Sequence, residues 1–116
     1  MEPVVLYHNP RCSKSRAALA LLEERGVPVR IVRYLEEPLS RAALADLAAK
    51  LGLPARSFVR TGEASYAAAG LGPASPDAAI LDAIAAAPIL LERPIAARGS
   101  KAVVGRPPER VLELLG

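Results

Sequence analysis

Apolar positions along the chain switch between the two periods that mark strands and helices. Val4, Val5 and Leu6 form a short apolar run that predicts a buried strand, and Asn9-Pro10 predicts a turn after it. Ala17 to Leu22 then supply the apolar face of a helix that opens near Ser13. Arg25-Gly26-Val27-Pro28 stops that helix, with glycine after the last periodic residues and proline two positions later. Val29 to Tyr34 reads as a second strand, in which Val29 and Ile31 alternate with Arg30, Val32 and Tyr34. Strand, helix and strand joined by short links favour a parallel pair with a right-handed crossover.

The middle of the chain is helical. Ser40 is the expected N-cap of a helix from Arg41 to Leu51, with Leu44, Leu47, Ala48 and Leu51 on one face and Gly52 at its end. Pro54 opens a short helical segment toward Arg60, Thr61-Gly62 breaks it, and Glu63 to Ala69 predict one or two further turns. Ser75 is expected to cap a helix from Pro76 to Ala87, packed through Ala79, Ile80, Ala83 and Ile84. Ile89-Leu90-Leu91 then reads as a strand, Glu92-Arg93-Pro94 as a break and Ile95-Ala96-Ala97 as a continuation. A turn at Arg98 to Lys101 leads to Ala102-Val103-Val104 and so to an antiparallel hairpin. Glu109 to Leu115 is predicted as a last helix, docked through Val111, Leu112, Leu114 and Leu115. The order predicts an α/β fold: a thioredoxin-like mixed sheet with a helical insertion between its βαβ and ββα halves. Residues 1–116 are expected to form a single domain.

Composition narrows the chemistry. Cys12 is the only cysteine and His8 the only histidine, so neither an internal disulfide nor a zinc-ligand set is available. Such sparing use of thiols fits a reducing compartment, and a cytoplasmic location is expected, with neither a signal peptide nor a membrane span. A net charge of +3 and only 3% aromatic residues, without a basic run or interleaved stacking residues, exclude nucleic acid as an expected partner.

Cys12 is where chemistry is expected, because the chain passes there from strand to helix. Unpaired N–H groups and the helix dipole favour a thiolate at such a point. Arg11, Lys14 and Arg16 add positive charge nearby, and His8 would add more if protonated. A small buried apolar cysteine is the plain alternative, and the cationic flank speaks against it. Arg60, Arg93 and Arg106 fall where loops collect beyond strand ends, and their guanidinium groups would suit a tetrahedral oxyanion. Pro94 is a candidate cis proline facing the cysteine. His8 is either a loop histidine meeting a carbonyl or a tuner of the thiolate. Ser15 is either a hydroxyl donor to the sulfur or a local cap, and Asn9 reads as a turn former.

The run Tyr7-His8-Asn9-Pro10-Arg11-Cys12-Ser13-Lys14-Ser15-Arg16 resembles the opening signature of the ArsC family of arsenate reductases, in its glutaredoxin-coupled, thioredoxin-fold branch. Leu91-Glu92-Arg93-Pro94-Ile95, Arg60 with Tyr66 and Gly70-Leu71, and Arg106-Pro107 are similar to three further landmarks of that family, in the same order. The resemblance implies that Cys12 attacks arsenate, that Arg60, Arg93 and Arg106 hold the oxyanion, and that His8 and Ser15 tune the thiolate. It implies no bound cofactor and no metal. External glutathione and then glutaredoxin would resolve the adduct and release arsenite. Two other classes compete. A monothiol oxidoreductase of glutaredoxin type would act on glutathione mixed disulfides. A transcription regulator of the Spx kind would carry Cys-x-x-Cys, where this chain has Ser15 in the second place.

Overall fold

The computed structural model of the protein describes residues 2–115, which divide into two compact units. One takes in the residues up to Glu37 and those from Arg93 onward, and the other is Pro38–Glu92.

The first unit carries the sheet. Its elements are β1 (Val4–Tyr7), α1 (Ser13–Glu24), β2 (Val29–Val32), β3 (Ile95–Arg98), β4 (Lys101–Val104) and a 3₁₀ segment, Pro108–Leu114. Among the described residues the strand order is β2-β1-β3-β4. β1 runs parallel to β2 with Val4 beside Val29, and antiparallel to β3 with Leu6 beside Ala96, while β3 and β4 form the hairpin with Ala96 beside Val103. This is the mixed α/β sheet of a thioredoxin-like fold.

The register explains the core. Cross-strand partners share a face, so Val4, Leu6 and Ala96 line one side and meet Ala18 and Leu22 of α1 and Val111 of the 3₁₀ segment. Val4, Leu6, Ala18, Leu22, Ala96 and Val111 are fully buried, and truncating Leu6 to alanine costs about 2–5 kcal/mol on that account. Arg98 adds a polar tie: its Nε donates to the Glu2 carbonyl at 3.0 Å and its Nη1 to the Leu114 carbonyl at 3.2 Å. Gly26 lets the chain leave α1 with φ of +68°, a conformation that glycine adopts without steric cost.

Two expectations for this unit need correcting. The second strand ends at Val32 rather than Tyr34, because the Arg33 carbonyl is taken by the N–H groups of Glu36 and Glu37 in a turn. β2 also lies at a sheet edge, so its alternation does not translate into burial: Ile31 stays 45% exposed. The last segment is a 3₁₀ helix beginning at Pro108, not a helix from Glu109; Arg110 N–H already bonds the Pro107 carbonyl three residues back.

The second unit is helical: α2 (Arg41–Leu51), a 3₁₀ turn at Ala55–Ser57, α3 (Ala64–Ala68), α4 (Asp77–Ala86) and a 3₁₀ turn at Pro88–Leu90. Ser40 caps α2 as expected, its Oγ accepting the Ala43 N–H at 3.1 Å, and Gly52 closes the helix in the left-handed region. Leu44, Leu47, Phe58, Ile80, Ile84 and Leu90 are buried.

Two expectations change here. Ser75 does not cap α4, because its Oγ accepts the Gly72 N–H and Pro76 holds the cap position. Ile89-Leu90-Leu91 is not a strand. Pro88 starts a 3₁₀ turn closed by Leu90 N–H on the Ala87 carbonyl, and Leu91 alone makes a bridge, to Val59. A three-residue apolar run has no periodicity that could separate the two outcomes.

Candidate active site around Cys12

The end of β1 sets the stage. His8 N–H continues the parallel ladder by donating to the Val32 carbonyl at 2.8 Å, and the chain then turns at Asn9. Asn9 Oδ1 accepts the Arg11 N–H and its carbonyl accepts the Cys12 N–H, each at 3.0 Å, so Asn9 forms the turn with both side chain and backbone. Arg16 braces it, donating from Nη1 to the Pro10 carbonyl at 2.9 Å.

Cys12 is the N-cap of α1, at the passage from strand to helix. Its backbone is extended, with φ −92° and ψ 122°, and its carbonyl accepts the Arg16 N–H at 3.0 Å. A side chain at this position faces the N–H groups of the second and third helical residues, here Lys14 and Ser15. No short cap hydrogen bond forms to the side chain, so these groups act on the sulfur mainly as dipoles. Partial burial pushes the Cys12 thiol up, but the Ser15 N–H, a hydrogen bond from the Arg93 side chain, the Lys14 N–H and the Arg93 charge outweigh it. The net result is a pKa below the ordinary thiol value.

Arg106 approaches the same sulfur. Its Nε donates to the Arg93 carbonyl at 2.8 Å, and its Nη2 lies 4.0 Å from Cys12 Sγ. The Arg93-Pro94 bond is cis, as anticipated, and the Arg106-Pro107 bond is cis as well, which was not anticipated. Gly105 N–H donates to the Pro94 carbonyl at 2.8 Å and joins the two prolyl segments.

His8 and Ser15 take roles the sequence left open. Ser15 is fully buried; its Oγ lies 2.6 Å from His8 Nδ1 and accepts the Asn9 N–H at 3.0 Å. Burial, then the charges of Arg33 and Arg16, hold the His8 pKa down, so the ring is neutral near pH 7 and adds no charge at Cys12. A neutral ring whose Nδ1 accepts the Ser15 hydroxyl proton satisfies all three groups at once. The Ser15 hydroxyl is therefore committed to His8 and Asn9, and it is the Ser15 backbone N–H that favours the thiolate.

Arg60 belongs to the other unit, at the bridge between Val59 and Leu91. Its Nε pairs with Glu63 Oε1 at 3.1 Å and its Nη1 with Glu92 Oε1 at 3.0 Å. Burial lowers its pKa and the two carboxylates more than restore it, so it remains a cation. The structure thus brings Cys12, Arg93, Arg106, Pro94, His8, Ser15 and Asn9 together in one unit and gives Arg60 an ion-paired setting in the second. Glu63, Glu92 and Gly105 were missed from sequence. Only Glu63 carried a signal, its spacing of three residues from Arg60.

A cysteine with a lowered pKa caps a helix beside a cis proline and two arginines on a thioredoxin-like sheet. Comparison with known proteins makes the class specific. The ArsC family model matches residues 7–114, and the chain belongs to the ArsC family. It is 48% identical to an arsenate reductase of Neisseria meningitidis, over 99% of this chain and 100% of that one. It is 34% identical to an arsenate reductase of Escherichia coli, over 99% of this chain and 82% of the relative. The solved structure of an arsenate reductase from Vibrio cholerae matches with a TM-score of 0.92 and 43% identity, covering 97% of this chain and 98% of that one.

Proposed function

We propose that the protein is a thiol-dependent arsenate reductase that uses Cys12 as nucleophile and external thiols to complete the reaction. One observation carries the reading: Arg106 Nη2 stands 4.0 Å from Cys12 Sγ, where the helix N–H groups and the Arg93 guanidinium hold the thiol pKa below its ordinary value. Relatives named arsenate reductases match along nearly the whole chain and support it.

In the first step the thiolate attacks arsenic, a sulfur–arsenic bond forms, and one arsenate oxygen leaves as water after protonation. Arsenic is still pentavalent. Arg93 and Arg106 offset the charge on the remaining oxygens. Glutathione then attacks the Cys12 sulfur. The electron pair of the sulfur–arsenic bond stays with arsenic, which departs as trivalent arsenite, and a Cys12–glutathione disulfide remains. Glutaredoxin takes up the glutathionyl group by thiol–disulfide exchange and returns Cys12 as a thiol. A second, external thiol is required because the chain has one cysteine. Arg11, Lys14, Arg16 and Arg106 are exposed cations that suit an anionic donor such as glutathione. The reducing cytoplasm is the compartment in which this cycle runs.

The test is an assay coupled to NADPH with glutathione and glutaredoxin, in which arsenate is compared with a glutathione mixed disulfide. NADPH oxidation that depends on arsenate supports the reading. Oxidation with the mixed disulfide alone transfers the assignment to a glutaredoxin-type oxidoreductase. Replacing glutaredoxin by thioredoxin identifies the protein donor.

A further inference from the structure

We infer that Gly105 is a positioning residue for the Cys12 centre: the missing side chain at 105 is what lets Arg106 reach the sulfur. Gly105 is buried, and its φ is not in the left-handed region, so conformational freedom does not explain it. Space does. A Cβ at 105 would stand 2.8 Å from Pro94 Cγ, 3.0 Å from Val111 Cγ1 and 3.5 Å from the Pro94 carbonyl oxygen.

Neither neighbour can yield cheaply. Pro94 leads into β3, where Ile95 is fully buried, and Val111 is a fully buried member of the sheet core. The part free to move is the segment that follows, where Arg106 and Pro107 are exposed. That segment holds the reactive geometry. Gly105 N–H bonds the Pro94 carbonyl, Arg106 N–H bonds the Val104 carbonyl, and Arg106 Nε bonds the Arg93 carbonyl, which leaves Nη2 4.0 Å from Cys12 Sγ. A methyl group at 105 displaces this run and withdraws the Arg106 charge from the sulfur. The inference concerns Arg106 at Cys12 and is independent of which oxyanion is reduced.

Cys12 is the only cysteine, so alkylation of the full chain reports on it alone. The measurement is the ratio of rate constants for iodoacetate, an anion, and iodoacetamide, a neutral reagent of similar size, which reads the positive charge beside the sulfur without any substrate. Arg106→Ala is expected to lower the ratio about fivefold. Gly105→Ala is expected to lower it comparably, and the double variant no further. Val111→Ala, which loosens the same core without adding a group at 105, keeps the wild-type ratio. If Gly105→Ala does not fold, the ratio is read in Gly105→Ala/Val111→Ala, where one of the two closest contacts is relieved. A wild-type ratio in the folded glycine variant overturns the inference, and so does an Arg106→Ala effect of equal size in both backgrounds. Arsenate turnover measured alongside fails separately if the functional reading is wrong.

Discussion

Arg106 and Arg60 are the same residue in opposite circumstances. Arg106 is exposed, held by a neutral carbonyl through Nε, and brings Nη2 to a sulfur. Arg60 is partly buried and gives Nε and Nη1 to two carboxylates. A carbonyl orients a guanidinium without neutralising it, whereas two carboxylates compensate its charge and fix it in place. Arginine count alone therefore says little about an anion site. What matters is which acceptors hold each fork, and the two regions predict different responses to the same truncation.

The largest effect is expected at the sulfur itself. Cys12→Ser should cut thiol-dependent turnover by about a thousandfold or more, with the melting temperature essentially unchanged, because the alcohol is a far weaker nucleophile at neutral pH. Turnover near the wild-type rate in that variant would rule out the nucleophile role. Next come Arg93→Ala and Arg106→Ala, each lowering kcat/KM for arsenate by roughly a hundredfold, as loss of one preorganised donor does, with little change in stability. Lysine at either place should recover only part of the loss, since it lacks the planar fork.

Arg60→Ala breaks the comparison from the other side. It removes the cation from two partly buried carboxylates and should cost about 1–2 kcal/mol of stability, between exposed and buried pairs, seen as a lower midpoint in urea. A stability loss equal to that of Arg106→Ala would show that the two settings do not differ. Glu63→Gln and Glu92→Gln should each give a smaller part of the same loss.

The smallest effects are in pH dependence. Because the folded Cys12 pKa lies below its unfolded value, its contribution to stability is present above the unfolded thiol pKa and disappears as pH falls through the folded one. Iodoacetamide alkylation should titrate with a midpoint below that of an ordinary thiol, and Arg93→Ala should move the midpoint upward. His8, also lowered, works in the same sense: stability is full above about pH 6.5, the unfolded value, and falls on acidification toward the folded one. His8→Gln should flatten that acid limb of the urea midpoint.

Much of this was legible in residues that act locally. Ser40 capping Ala43, Gly26 and Gly52 at helix ends, the turn at Asn9 and the switch from strand to helix at Cys12 follow from chemistry within a few positions. What failed depended on distance or on prolines. Glu92 lies 32 residues from Arg60, a pairing that no periodicity encodes. Pro88 and Pro108 turn short apolar segments into 3₁₀ structure where a strand and a helix were expected. Gly105 carried no signal of its own, because its setting depends on Pro94 and Val111 packing against it from separate elements. The neutral state of His8 comes first from burial and then from the charge of Arg33, on a segment reached only through the parallel pairing of β1 and β2.

That β1 has a neighbour on each side has a mechanical meaning for the reactive turn it carries. An outer strand can peel away while its sheet persists, but an inner one comes loose only when much of the sheet does. The loop bearing Cys12 is thus anchored to a part that yields late. Deuterium uptake should begin along β2 and reach the amides of Leu6 and Tyr7 last, so that a sulfur open to reagents sits on some of the slowest-opening backbone in its unit.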